Sequence, residues 1–310
     1  MTMPSVSVVI PAFNSETTLP ILVNQLLISL CGQKFELIIV DDGSTDKSWE
    51  VIKNLSLKHD EIKGLRLIRN SGQHAALLAG IRSARYEVTV TMDDDLQHPP
   101  EEISRLVSCL DIDTDLVYGS PDSSTQGLTR TMTSRFAKLT IEKMLSVEDF
   151  KHVSAFRAFK TKLRDAFDAR LGPAISIDAI LSWSTTRIRS IRVRHNPRIS
   201  GESGYTVRKL FRYVLDVATG YSTVPLRFAT GLGLLTIALS IGVVVYVTVR
   251  SLMSGESVPG FPFLASTIAI FSGTQLLVLG ILGQYIGRMH FRVMNKPTYT
   301  ITESTSQLPE

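Results

Sequence analysis

The sequence predicts an α/β chain: an open, mostly parallel sheet with flanking helices, followed by an interfacial amphipathic helix and two transmembrane helices. Three observations carry this. From Ser5 to Tyr118, short β-rich runs alternate with longer helical patterns, as they do when parallel strands are joined through crossover helices. Phe228 to Val249 and Phe263 to Ile286 contain no charged side chain, and each exceeds the roughly 20 residues that cross a hydrocarbon layer of about 30 Å. Polar and small residues fall at the ends of the β-rich runs, where open sheets of this kind bind ligands.

The strands are "SVSVVI", "FELIIV", "GLRLIR", "EVTVTM" and "DLVY". After the first come Pro11, Ala12, Phe13, Asn14 and Glu16; after the second, Asp41, Asp42, Gly43 and Ser44; after the third, Asn70, Ser71, Gly72 and Gln73; after the fourth, Asp93, Asp94 and Asp95. Taken singly, each end has a structural reading. Ser44 or Thr45 would cap a helix, Gly72 would permit a tight turn, and Pro99 and Pro100 would open a helix. Their convergence on one edge of one sheet favours a binding site. No GxGxxG and no GxxxxGK[ST] is present, so neither a dinucleotide fold nor a P-loop accounts for it.

The N-terminus "MTMPSVSVVIPAF" has no basic leader and reads as a first strand, which places the front of the protein in the cytosol. Cys31 and Cys109 show no pairing or zinc-site pattern. The chain has 310 residues and a formal net charge of +4, and the excess is local. Arg187, Arg189, Arg192, Arg194, Arg198, Arg208, Lys209 and Arg212 face only Glu202 in the same stretch. A phospholipid surface or a phosphate-bearing ligand fits this charge. No nucleic-acid recognition motif accompanies it, so nucleic acid is not an expected partner.

Val207, Leu210, Phe211, Val214, Leu215 and Ala218 recur at helical spacing opposite Arg208, Lys209 and Arg212, the pattern of an interfacial helix. Basic residues lie outside the two spans: Arg208, Lys209, Arg212 and Arg227 before the first, Arg288, Arg292 and Lys296 after the second. The positive-inside rule puts both ends in the cytosol and the short connector outside. The expected parts are therefore a cytosolic domain over 1–200, a juxtamembrane loop and helix over 201–226, a transmembrane hairpin over 227–287 and a cytosolic tail over 288–310.

Three consecutive aspartates at a strand end need a compensating cation, because two carboxylates about 4 Å apart repel by roughly 4 kcal/mol at an effective dielectric near 20. Strand alternation puts Asp93 and Asp95 on one side and Asp94 on the other. One or two carboxylates plus substrate phosphates is how Mg²⁺ or Mn²⁺ is usually held. The cation is expected to arrive with a diphosphate.

The blocks "VVIPAFNSE", "IIVDDGSTDKS", "RNSGQHAALLAGI", "MDDDLQHPPEEI", "SAFRAF", "RISGESGYTVRKL", "STVPLRFATGLG" and "GQYIGRMHFRVMNKPTY" resemble the family 2 glycosyltransferases of GT-A fold, in particular the polyprenyl-phosphate glycosyltransferases. The resemblance covers nearly the whole chain. It implies that Pro11, Ala12, Glu16, Asp41 and Asp42 hold the nucleotide, with Asp93 and Asp94 counted among the residues that bind it. It implies that Asp93 and Asp95 are the DxD metal ligands, with Gln97 a further one. Arg157 then meets phosphate oxygens, and Arg198, Ser203 and Tyr205 belong to a basic loop that admits the lipid phosphate. The sequence departs from the family pattern at Phe13 to Glu16, at Pro121, where an arginine is common, and at Ala155.

The resemblance implies inverting, metal-dependent transfer of a sugar from a nucleotide-diphosphate sugar to a membrane polyprenyl phosphate, on the cytosolic leaflet of the inner membrane. It also implies a homo-oligomer. Two other functions stand beside this one. Transfer to a hydroxyl of a lipid-linked glycan would need a general base, for which Asp178 is the candidate. A non-catalytic scaffold or sugar-nucleotide-binding protein would keep the fold without turnover.

Overall fold

The computed structural model describes residues 4–121, 153–167, 176–196, 224–254, 260–294 and 297–305. The chain divides into two compact units, one of residues 1–210 with 295–310 and one of residues 211–294.

Among the described residues, the first unit is built on an eight-stranded sheet: β1 (Val6–Ala12), β2 (Phe35–Asp41), β3 (Ile62–Leu67), β4 (Val88–Thr91), β5 (Leu116–Pro121), β6 (Arg157–Lys160), β7 (Ile188–Val193) and β8 (Ile301–Ser304), in the order β7-β5-β6-β4-β1-β2-β3-β8. Strands β4, β1, β2 and β3 run parallel; β6 is antiparallel to both of its neighbours, and β8 is antiparallel to β3. Every residue of β1 is buried, as expected for a strand covered on both faces.

Helices α1 (Leu19–Ser29), α2 (Ser48–Lys58) and α4 (Glu102–Ser108) lie on one face, where Leu22, Leu26, Ile52, Ile103 and Leu106 pack on Val8 and Ile10. Helices α3 (Gln73–Ser83) and α5 (Ile177–Ser184) cover the other face with Ala76, Leu77, Ile177 and Leu181. Strand order reverses between β1 and β4, since β1 leads on through β2 to β3 on one side. That switch point is where such sheets open a crevice beyond the strand ends.

Helix α3 approaches β1 so closely that a Cβ at Gly80 would lie 2.3 Å from Val9 Cγ1. Gly80→Ala gains about 1 kcal/mol of helix propensity, but overpacking a filled core costs typically 1–3 kcal/mol. A lower melting temperature of the full chain is the expected result, because Val9 is a stiff, fully buried side chain with nowhere to move.

In the second unit, α6 (Val224–Ser254) and α7 (Gly260–Val293) pack against one another. Val224–Arg250 and Ile270–Gly287 are long and apolar enough to cross a membrane, and they leave large side chains such as Leu234 and Leu276 exposed. The interfacial helix expected over 207–218 lies outside the described residues, as do Arg198, Ser203 and Tyr205.

Two local expectations are corrected. Ser44 and Thr45 do not cap α2; its Ser48 N–H is taken by Asp46 Oδ1 at 3.0 Å. The helix after the proline pair begins at Glu102, with Glu102 N–H bonded back to the Pro99 carbonyl. The arginines around β7 also find partners that a local reading of the sequence misses. Arg187 Nε lies 3.4 Å from Asp115 and Arg194 Nε 3.0 Å from Glu102.

Candidate active site

The ends of β1, β2, β3 and β4 meet in a cavity of about 320 Å³ lined by Pro11, Ala12, Phe13, Asp42, Asn70, Gly72, Gln73 and Asp93 to Asp95. Among the described residues, four carboxylates line it and no lysine or arginine does. The loops are held by polar bonds between strand ends. Asp42 accepts the Ser71 N–H at 2.7 Å and the Gly72 N–H at 2.8 Å, which fastens the β3 loop to β2. Gly43 has φ +69°, and a Cβ there would lie 2.6 Å from the Arg69 carbonyl carbon, so that junction requires glycine. Burial pushes the Asp42 carboxyl above its ordinary range, the Ser71 and Gly72 bonds oppose this, and the Asp41 charge adds to it.

Strand β4 ends at Thr91, so the aspartates lie on a bend beyond it and strand alternation does not govern them. This corrects the expected placement of Asp94, which lines the same cavity as Asp93 and Asp95. The Asp93 carboxylate accepts from Gln73 Nε2 at 2.6 Å, at the start of α3. The Asp94 carboxylate accepts from the Ser15 hydroxyl after β1. Burial raises the Asp94 pKa, against the Ser15 bond, and the neighbouring Asp95 charge raises it further. Asp95 Oδ1 accepts the Gln97 N–H at 3.1 Å. Glu16 lies apart from the cavity lining and caps the Lys47 N–H at 3.0 Å.

The hard oxygen donors of this cavity suit Mg²⁺ or Mn²⁺. Among the described residues, no three His, Cys, Asp or Glu side chains are gathered closely enough to cage an ion alone. An ion shared between one or two carboxylates and ligand phosphates fits that donor set better than an all-protein site.

Behind the aspartates lies a buried charge cluster. Arg157, at the start of β6, is 1% exposed. Its Nε donates to Thr91 Oγ1 at 2.9 Å and its Nη1 is paired with Asp178 Oδ1. The Tyr118 hydroxyl donates to the same Asp178 oxygen at 3.1 Å. Burial opposes the Arg157 charge, and Asp178, Tyr118 and, more weakly, Asp93 together outweigh it, so the guanidinium is held protonated more firmly than usual. Burial and Asp178 push the Tyr118 phenol well above its ordinary value. His74, whose Nδ1 is buried without a hydrogen bond, feels both charges, and burial lowers its pKa. Ser15, Thr91, Gln73 and Tyr118 were not singled out as site residues from sequence; Gln73 alone had a signal, its place after the third strand.

His98 stacks on Phe156 at 5.0 Å and meets His195 edge-on at 5.2 Å. Burial, reinforced by the His195 charge and opposed by Asp95, lowers its pKa to about 4. Between pH 6.5 and about 4 the unfolded chain binds a proton here that the native site does not. This part of the stability is therefore present above pH 6.5 and lost as pH falls through that window. His98→Gln is expected to flatten the fall of melting temperature over that range relative to wild type.

Residues 7–171 match the model of the family described as "Glycosyl transferase family 2". Two undecaprenyl-phosphate 4-deoxy-4-formamido-L-arabinose transferases are similar along nearly their whole length. The one from Pseudomonas paraeruginosa is 32% identical over 98% of this chain and 91% of its own. The one from Aeromonas hydrophila is 32% identical over 96% and 92%. The chain belongs to glycosyl transferase family 2. This glycosyltransferase is also similar to a solved structure, glucosyl-3-phosphoglycerate synthase from Mycobacterium tuberculosis in complex with Mn²⁺, UDP and glucosyl-3-phosphoglycerate. That chain is 17% identical, with a TM-score of 0.49 over 70% of this chain and 78% of that one.

Proposed function

We propose that this glycosyltransferase moves a sugar from a nucleotide-diphosphate sugar to a polyprenyl phosphate, with inversion at the anomeric carbon. The observation that carries the proposal is the pairing of an acid-lined cavity at the sheet's switch point with a buried, permanently charged Arg157 behind it. The likeness to undecaprenyl-phosphate sugar transferases over nearly the whole chain supports the acceptor class. Pro11, Ala12, Asp41 and Asp42 hold the nucleotide in this reading, with Glu16 shaping the neighbouring turn. Asp93, Asp95 and Gln97 would hold Mg²⁺ or Mn²⁺, which would supply positive charge to offset the charge that grows as the diphosphate leaves. Asp94 fixes the β1 loop through Ser15.

The acceptor phosphate has a second pKa near 6 and is largely dianionic at neutral pH. Its oxygen attacks C1 as the bond from C1 to the diphosphate oxygen breaks, and no proton has to be removed. That agrees with Asp178, whose Oδ1 already takes the Arg157 and Tyr118 donors, acting to orient the arginine. Arg198, Ser203 and Tyr205 are assigned to the acceptor. The basic residues flanking α6 and α7 support a two-span protein with both termini and the catalytic domain in the cytosol, divided at 1–200, 201–226, 227–287 and 288–310. Self-association through the spans belongs to the same reading; a single monomeric species in nanodiscs would remove it.

The test is transfer of radiolabel from a panel of nucleotide sugars, including a donor of 4-deoxy-4-formamido-L-arabinose, into butanol-soluble lipid with and without Mn²⁺. Metal-dependent lipid labelling is expected, and its absence with every donor would overturn the proposal. Replacing residues 227–294 with a soluble linker, so that β8 is kept with the first unit, is expected to leave nucleotide binding while raising the KM for long-chain lipid phosphate; equal use of the long lipid by both forms would make the spans simple anchors.

A further inference from the structure

Strand β8, which follows the second apolar helix in sequence, closes the edge of the sheet beside β3, with Glu303 opposite Arg66 in the register. Glu303 Oε1 accepts from Arg66 Nη1 at 2.9 Å, and Oε2 accepts from the Trp49 indole N–H at 2.9 Å. The Arg66 guanidinium also lies 5.8 Å from the centroid of the Trp49 ring. It is gripped from two sides. Its Nε lies 3.4 Å from Asp41 Oδ2. Asp41 is 0% exposed, its Oδ1 accepts the Ser44 N–H at 3.1 Å, and its Oδ2 has no hydrogen-bond donor. Arg66 is the cation that faces that oxygen, and Glu303 and Trp49 hold it in place.

We infer that Glu303 is a positioning residue for the nucleotide end of the active site, acting through Arg66 on Asp41. This rests on the reading of Asp41 and Asp42 as residues that hold the nucleotide. Docking of β8 does not itself require the Glu303 side chain. Thr305 accepts the Gly64 N–H through Oγ1 at 2.8 Å and returns its own N–H to the Gly64 carbonyl at 3.0 Å, while Ile68 N–H reaches the Thr300 carbonyl at 3.0 Å. A half-exposed ion pair adds little to stability. Its effect is orientation: without Glu303 the arginine keeps its charge but loses the Nη1 bond that, with the Trp49 ring, fixes its plane. The segment after the second apolar helix then sets the affinity for the soluble substrate.

The experiment uses the full chain in nanodiscs with Mn²⁺ and, as probe, whichever of UDP, GDP and CDP binds the wild type most tightly by calorimetry. Glu303→Gln is expected to weaken the probe roughly tenfold, within the range by which residues linked to a site through others modulate it. Donor KM should rise in parallel while kcat stays within about twofold. Arg66→Gln should give a similar loss, and the double variant should be no worse than either single one, because both act through one connection. Thr305→Val is the control: it loosens β8 and lowers the melting temperature without changing probe affinity. Unchanged affinity in Glu303→Gln, with a clear loss in Asp41→Asn, overturns the inference and leaves the nucleotide assignment standing. If no diphosphate binds the wild type, or Asp41→Asn binds as tightly as wild type, the underlying assignment fails and the inference with it.

Discussion

Asp95→Asn is expected to lower sugar transfer by roughly 10³-fold or more, the scale of losing charge stabilisation of a leaving group in a preorganised site, with little change in melting temperature. Asp42, Asp93, Asp94 and Asp95 line the cavity in which the proposed function places a diphosphate. Such a cavity repels its substrate unless a cation intervenes. Asparagine keeps the shape and the acceptor oxygen for the Gln97 N–H but removes one unit of charge, so ion affinity and transfer fall together. Asp94→Asn should be milder. Its carboxyl is already pushed toward the neutral form by burial, and the Ser15 bond it makes survives with an amide oxygen. Titration of Mn²⁺ against both variants, read through metal-dependent transfer, separates them; an Asp95→Asn enzyme with full rate at saturating Mn²⁺ would refute the ligand assignment.

That contrast shows where the sequence was legible. The strand ends were readable because Pro11 to Phe13, Asp41 to Ser44, Asn70 to Gln73 and Asp93 to Asp95 each follow an apolar β run, and a parallel sheet brings such ends to one edge. The two long apolar helices were readable because each comes from a run of more than twenty residues without a charged side chain. The orientation of Asp94 was not, because β4 stops at Thr91 and Leu96 takes φ +62°, a conformation that side chain identity does not announce. Nor was β8 readable: Ile301–Ser304 is a four-residue strand with a half-polar pattern, and only its pairing with β3 defines it. The partners of Arg157 come from distant chain segments, Thr91 lying 66 residues away and Asp178 21. A sequence pattern ranks such residues but does not join them.

The joining of Arg157 to Asp178 decides between the two enzymatic readings. Asp178→Asn leaves an arginine that is 1% exposed without its counter-charge, and breaking a buried pair in this way costs typically 3–5 kcal/mol of stability. Activity must therefore be compared at a temperature where the variant is folded. If the acceptor is a phosphate, the folded Asp178→Asn enzyme should be slowed about tenfold or less, through a less well-oriented arginine, and its rate should follow acceptor ionisation and flatten above about pH 7. If the acceptor is a hydroxyl, loss of the base should cost roughly 10² to 10⁴ in rate. Arg157→Lys tests the same connection from the other side. Lysine keeps a charge but cannot bond Thr91 Oγ1 and Asp178 Oδ1 from one rigid plane while meeting phosphate oxygens. A large fall in kcat/KM with a raised acceptor KM is expected for lipid phosphate. A severe defect in folded Asp178→Asn, together with an undisturbed acceptor KM in Arg157→Lys, would instead assign the acceptor as a sugar hydroxyl and make Asp178 the base.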